Sequence, residues 1–305
     1  MVTLPSGIVA PALRLARANR IFVSADEARR HVRARELRPT SYAPPGRLHP
    51  DVRVDVEHRD GWPVYTVAPR VGTPVGSLVY VHGGGWVNEI VSQHWNLVAQ
   101  IAAEANTTVT LPIYPLIPFG TAAETAAFVV DLVRRNIDRF GSASIGGDSA
   151  GGQISLSAAL ALRDDHDITL AQTILISPAL DLTWSNPDIP RVQPSDPWLA
   201  TPGGKVLAEY WRGGRDLLDP VVSPLYGDLA GLGPITLFSG TRDVLNPDAR
   251  LLVEKAAGAG VELDYHEGAG QVHVFPLLPT AVGRDARAII VARIRNALRA
   301  SGPAV

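Results

Sequence analysis

Two kinds of hydrophobic pattern alternate along this chain. "VRVDVEH" (52–58) switches between apolar and polar residues, as a strand with one wet face does, and "PVYTVAP" (63–69) reads as its partner. The runs that follow differ. "SLVYVH" (77–82) is continuously apolar and stops at glycines, which suits a strand covered on both faces. "TTVTLPIY" (107–114), "SASIGG" (142–147), "LAQTILIS" (170–177) and "PITLFSG" (234–240) share that character, and "VELDYHE" (261–267) ends the series. Helix-length segments fill the gaps at 93–105, 121–140, 150–163, 247–259 and 281–300. Strand then helix, repeated in this way, predicts right-handed crossovers and an α/β fold. The sheet should be mostly parallel and eight-stranded, flanked by helices on both faces.

Two stretches stand outside the alternation. Residues 12–38 have helical spacing and many arginines, and the proline-rich "RPTSYAPPGRLHP" (38–50) joins them to the sheet. Residues 183–220 separate two strands with three tryptophans, many prolines and only a short helical stretch near 205–211. So long a connection inside a compact domain predicts a lid. We expect it to form a helical cap together with residues 1–45, over a main domain of residues 46–305.

Composition narrows the class. The chain has 305 residues, 46% hydrophobic and 19% charged, ample for a buried core. Lys and Arg total 28 against 30 acids, so no electrostatic case exists for a nucleic-acid partner. Arg29, Arg30 and His31, then Arg33, Arg35 and Arg38, are interleaved with Asp26 and Glu36, as on the wet face of a helix. There is no cysteine, so any nucleophile is oxygen or nitrogen, and the absence fits a reducing compartment. Pro5, Gly7 and Pro11 break the N-terminal apolar stretch, which argues against a signal peptide. No apolar run approaches the roughly 18 residues that a membrane helix needs. A soluble, cytoplasmic protein without stable membrane insertion is expected.

The chemistry begins at "SIGGDSAGGQIS" (144–155). Gly147-Asp148-Ser149-Ala150-Gly151 is a G-x-S-x-G between an expected strand and an expected helix. A sharp turn there needs small neighbours and lifts the serine hydroxyl above the carboxyl edge of the sheet. The bare motif is short enough to arise by chance, or to be a glycine-rich loop that merely closes a helix on a strand; its position is what gives it weight. A serine hydroxyl needs a base. Among eight histidines, His31, His49 and His58 precede the sheet core and should be superficial. His166 sits in a polar loop, His266 within the last strand and His94 on a helix. His273, in "GAGQVHVFP" just beyond the last strand, is the candidate base, since parallel sheets keep their sites at that edge. The base needs an acid to hold its tautomer. Asp243 directly follows the strand at 234–240, whereas Asp248 falls in the first turn of a helix and suits its dipole. The order Ser149, Asp243, His273 is the one found in α/β-hydrolases.

A fourth piece follows the strand at 77–82. His82-Gly83-Gly84-Gly85 leaves bare backbone N–H groups that, with the N–H of Ala150, can meet a developing oxyanion. Eight histidines and 28 glycines among 305 residues make this run rare by chance, so it carries more weight than the serine motif. His82 reads as an orienting residue. Trp86, next to this loop, is a candidate pocket wall, with ordinary packing as the alternative.

These segments together resemble the hormone-sensitive-lipase-like branch of the α/β-hydrolase fold. The resemblance rests on HGGGW (82–86), GDSAGG (147–152), SPLYGDLAGL (223–232), GTRDVLNPD (240–248) and HVF (273–275), and covers most of the chain from about 50 onward. It implies Ser149 as nucleophile, Asp243 as acid, His273 as base, oxyanion donors at Gly84, Gly85 and Ala150 with Gly83 as a further contributor, and a cap from the N-terminus and an insertion. One position departs. In Tyr114-Pro115-Leu116-Ile117-Pro118-Phe119 a phenylalanine holds the place where many members of the branch carry an acid. The expected activity is cofactor-independent hydrolysis of small short-acyl carboxylic esters through an acyl-enzyme, without metal. Lactones, amides and carbamates share the first step. A non-catalytic small-molecule receptor of the same fold would have an incomplete triad. A monomer or homodimer is expected.

Overall fold

A computed structural model describes residues 3–301; residues 1–2 of the expected cap segment and 302–305 lie outside the described residues. The arginine-rich beginning holds two helices, α1 (Ser6–Leu15) and α2 (Ala25–Leu37), separated by a turn. Ser24 caps α2 by accepting from the N–H of Glu27, a Ser-x-x-Glu spacing that marks a helix start inside the arginine-rich run.

The sheet strands are β1 (Val52–Arg59), β2 (Trp62–Pro69), β3 (Ser77–Val81), β4 (Thr108–Pro112), β5 (Ala143–Asp148), β6 (Thr173–Ile176), β7 (Ile235–Gly240) and β8 (Leu263–Gly268). They form one sheet in the order β1-β2-β4-β3-β5-β6-β7-β8. Strands β1, β2 and β4 pair antiparallel, and all pairs from β4–β3 to β7–β8 are parallel. The fold is the expected α/β one. The helices α3 (Ser92–Ala105), α4 (Ala122–Phe140), α5 (Ala150–His166), α8 (Asn246–Gly258) and α9 (Ala281–Ala300) agree with the sequence reading to within a few residues.

Alternation along a central strand decides which helices cover which face. Val79 and Val81 of β3 face α4 and α5, in one core with Val129, Val133 and Ile154. Leu78 and Tyr80 face the other way, among Leu97 and Ile101 of α3 and Ile290 and Ile294 of α9. Both faces are dry, which is why this strand reads as an unbroken apolar run.

Residues 183–220 carry α6 (Ile189–Val192) and α7 (Thr201–Trp211), the latter starting earlier than the pattern suggested. The N-terminal helices rest on this insertion. Ala28 and Val32 of α2 are buried in the same core as Leu207 and Ala208 of α7. The N–H of Gly203 donates to the Phe22 carbonyl at 2.7 Å, and Arg14 reaches the Ser195 carbonyl at 3.3 Å.

Glycine is needed where β5 turns into α5. Gly151 lies so close to β3 that a Cβ would drive into the carbonyl oxygens of Val81 and His82. Gly151→Ala is expected to lower stability by about 2–3 kcal/mol, through overpacking against a backbone that cannot yield. Urea denaturation measures it, and an unchanged midpoint would contradict this account of the turn.

Candidate active site

Ser149 sits between the last residue of β5 and the first of α5, with φ +52° and ψ −118°. A non-glycine residue there is strained, and its surroundings must hold it in place. They do so through the backbone: Ser149 N–H donates to the Ile176 carbonyl at 2.9 Å, and Ala179 N–H donates to the Ser149 carbonyl at 3.1 Å. The side chain stays half-buried at the cavity floor.

The loops after β7 and β8 supply the other two groups, from strands at the same edge. His273 Nε2 lies 3.0 Å from Ser149 Oγ, and its Nδ1 lies 2.9 Å from Asp243 Oδ2. Asp243 is fully buried and its Oδ1 accepts from the N–H of Leu245. That leaves Oδ2 for His273 Nδ1–H, so Nε2 faces the serine as an acceptor. Burial opposes the imidazolium of His273. The charge and hydrogen bond of Asp243, with Asp196 and Asp148 beyond, outweigh it and hold the ring above its ordinary pKa.

The glycine loop divides by function. Gly84 and Gly85 take φ values of +129° and +62°, conformations that side chains resist. Among the described residues, their N–H groups and that of Ala150 donate to no protein acceptor. Gly83 differs: its N–H donates to Asp148 Oδ1 at 3.0 Å and is not free to receive an oxyanion. His82 is fully buried, its Nδ1 lies 2.7 Å from the Gly83 carbonyl oxygen, and its ring stacks on Tyr114. Burial, then the neighbouring His94, push its pKa down to about 4, so it stays neutral.

Of the two readings open for Trp86, pocket wall or ordinary packing, the structure favours packing, since it does not line the cavity above Ser149. Its backbone, at φ +58°, turns the indole inward to stack on Trp211. Both indole N–H groups donate to Gln153 Oε1 of α5, at 3.3 and 2.8 Å. His31, expected at the surface, is half-buried, lines the cavity and lies 2.8 Å from Asn88 Oδ1. Phe119 is 69% exposed and lies outside the cavity.

Three groups escaped the sequence reading. Asp148, next to the serine, is buried and accepts from Tyr80 Oη at 2.8 Å and from Gly83 N–H, with His94 Nε2 at 3.1 Å. Burial raises its pKa, but the His94, Tyr80 and Gly83 contacts win and keep it below the usual carboxylate range. The chance to find it lay in GDSAGG, where it directly precedes the serine. Asp196 lies in the insertion and accepts from the N–H groups of Trp198, Leu199 and Val244 at 2.7, 3.0 and 2.8 Å. It thus ties the insertion to the residue beside Asp243, while Trp198 meets the His273 ring edge-on at 5.9 Å. Burial, then the charge of Asp243, raise Asp196 to about 6. Nothing in its local sequence marks it. The third is Arg35, half-buried and facing the cavity.

The cavity has a volume of about 660 Å³. Ser149 and His273 lie at its floor, Trp198 and Leu199 come from the insertion, and Phe22 and Arg35 come from the N-terminal segment. Among the described residues, no cluster of three or more His, Asp or Glu side chains could hold a metal ion. No described helix is long and apolar enough to cross a membrane.

A family model described as alpha/beta hydrolase fold matches residues 78–277. An acetyl-hydrolase of Streptomyces hygroscopicus is 31% identical over 228 residues, 72% of this chain and 76% of that one. The esterase LipI of Mycobacterium tuberculosis is 27% identical over 271 residues, 81% of this chain and 83% of that one. The crystal structure of an esterase from the bacterial hormone-sensitive lipase family aligns with a TM-score of 0.79 at 25% identity, covering 98% of this chain and 100% of that one.

Asp248 is not near the imidazole. It is buried in the first turn of α8, where Asn186 of the insertion donates to its Oδ1 at 2.8 Å and Oδ2 has no partner. Burial pushes its pKa up to about 7, with Asn186 opposing and Asp181 adding. The folded protein therefore holds this proton more tightly than the unfolded chain. The stability linked to it is complete below about pH 4 and is lost as pH rises through 7. Asp248→Asn removes that loss. The variant should gain about 2–4 kcal/mol on wild type between pH 4 and pH 8. Parallel denaturation curves at the two pH values would contradict this.

Proposed function

The chain belongs to the hormone-sensitive-lipase-like branch of the α/β-hydrolase fold family, and we propose that Ser149, His273 and Asp243 are its catalytic triad. The protein is a carboxylic ester hydrolase, in keeping with its esterase and acetyl-hydrolase relatives. The observation that carries the triad is the unbroken series Ser149 Oγ, His273 and Asp243, at 3.0 and 2.9 Å, on the floor of a cavity.

Ser149 Oγ attacks the ester carbonyl carbon as His273 Nε2 takes the hydroxyl proton. The carbonyl oxygen gains negative charge and is met by the N–H groups of Gly84, Gly85 and Ala150. These N–H groups have no protein acceptor among the described residues, and each such donor is worth about 10²–10³ in rate. The intermediate collapses, the alkoxide leaves with the proton from His273, and an acyl group stays on Ser149. Water then attacks the acyl carbon while His273 takes its proton and returns it to Oγ, releasing the carboxylic acid. Asp243 holds the imidazole in its tautomer and offsets the imidazolium charge. The described part of the N-terminal segment, residues 3–45, and residues 183–220 act as the cap that walls the cavity, and the acetyl-hydrolase relative supports a short acyl group.

Ser149→Ala should cut ester turnover by about 10⁴-fold or more with the fold intact. An organophosphate should add its mass to the peptide that holds Ser149 in the wild type; labelling elsewhere, or turnover kept by the variant, refutes the assignment. A second outcome concerns pH. Turnover needs neutral His273, so kcat/KM falls as pH drops through that group's raised pKa. Asp196→Asn removes a negative charge that favours the imidazolium. The acidic limb should then move to lower pH by about half a unit. A limb that stays in place would reduce Asp196 to a structural tie.

A further inference from the structure

One wall of the cavity above Ser149 is cationic. The N-terminal segment supplies Arg17, Arg20 and Arg35 to it, beside His31, whose burial lowers its pKa and favours the neutral ring. Arg20 is engaged by Glu27 at 3.3 Å. Arg17 and Arg35 have no carboxylate within ion-pair distance among the described residues. Arg35 Nε lies 3.4 Å from His31 Nε2, and among the described residues the terminal nitrogens of its guanidinium have no hydrogen-bond partner. A half-buried guanidinium with its fork unfilled, facing a cavity, is suited to a carboxylate or phosphate.

Its place in the fold connects it to the reaction. His31 Nε2 lies 2.8 Å from Asn88 Oδ1, and Asn88 Nδ2 donates to the Gly84 carbonyl at 3.1 Å. The wall therefore stands beside the glycine loop. Opposing charge is limited. Asp148 lines the same cavity but is taken up by Tyr80, Gly83 and His94. Glu89 is the other lining carboxylate. Burial pushes it up to about 7 even against Arg35, so it carries only part of a charge near neutrality.

We propose that this cavity takes esters bearing an anionic group, carboxylate or phosphate, which pairs with Arg35 and Arg17 while the ester carbonyl meets Ser149. The proposal rests on the hydrolase reading above and adds the charge of the substrate to it.

Two matched pairs of esters test it on the full chain. One pair puts the anion on the acid half: para-nitrophenyl hemisuccinate against para-nitrophenyl butyrate. The other puts it on the alcohol half: para-acetoxybenzoate against phenyl acetate. Arg35→Gln should raise KM for an anionic ester about tenfold more than for its neutral partner, the effect of losing a charge-assisted pair. Added salt should narrow that gap in the wild type. A gap in the first pair assigns the anion to the acid half, and one in the second pair to the alcohol half. Equal effects on charged and neutral esters in both pairs overturn the proposal. Arg17→Gln repeats the test at an exposed position where no packing is at risk. If no ester is turned over, the hydrolase reading fails, and binding still decides the charge question. Calorimetry of succinate and of para-hydroxybenzoate with Ser149→Ala should give an affinity that Arg35→Gln weakens about tenfold. Absence of binding by both overturns the site.

Discussion

A single buried carboxylate holds the reactive edge of the sheet together. Asp148 ends β5, and the next residue is the serine. Its two oxygens meet a tyrosine hydroxyl from β3, a backbone N–H from the glycine loop and an imidazole from α3. A charge so deeply buried is tolerated only when it is fully bonded. Those bonds also fix where the glycine loop stands relative to Ser149. The Gly83 N–H is held by Asp148, while the N–H groups of Gly84 and Gly85 stay open. One interaction therefore bears on both the position of Ser149 and that of the glycine loop.

The insertion does more than cover the site. Asp196 accepts from Val244, one residue past Asp243, and Trp198 stands edge-on to His273. Gln153, on the helix that begins at the serine, accepts from both Trp86 and Trp211, so α5 is bonded to α7. Asn186 reaches Asp248 on α8. Three of these contacts join the insertion to segments that carry or flank Ser149, Asp243 and His273, and the fourth anchors it on α8. His273 and Asp243 are thus held partly by residues far from them in the chain, and the electrostatics of His273 include a carboxylate from the insertion.

Strand and helix identity was legible because the central strands are dry on both faces and the helices between them are amphipathic. At the N-terminal arginine run the pattern predicted helices without their bounds. The Ser-x-x-Glu cap at Ser24 marks where α2 starts. Trp86 was ambiguous for another reason. Its neighbours are reactive, but its φ of +58° turns the ring into the core, and a side chain's direction at positive φ is not written in its neighbours.

What the sequence determined by itself was the order of the elements and the chemical types at the carboxyl edge. Local rules suffice for these, because glycine spacing and hydrophobic period act over a few residues. The tertiary structure decided the rest: that Gly83 is already bonded, that Asp196 faces the histidine, and that Arg35 opens into the cavity. Such facts depend on which distant segments meet. Burial and unsatisfied hydrogen-bonding capacity are properties of the packed molecule and belong to no stretch of chain alone.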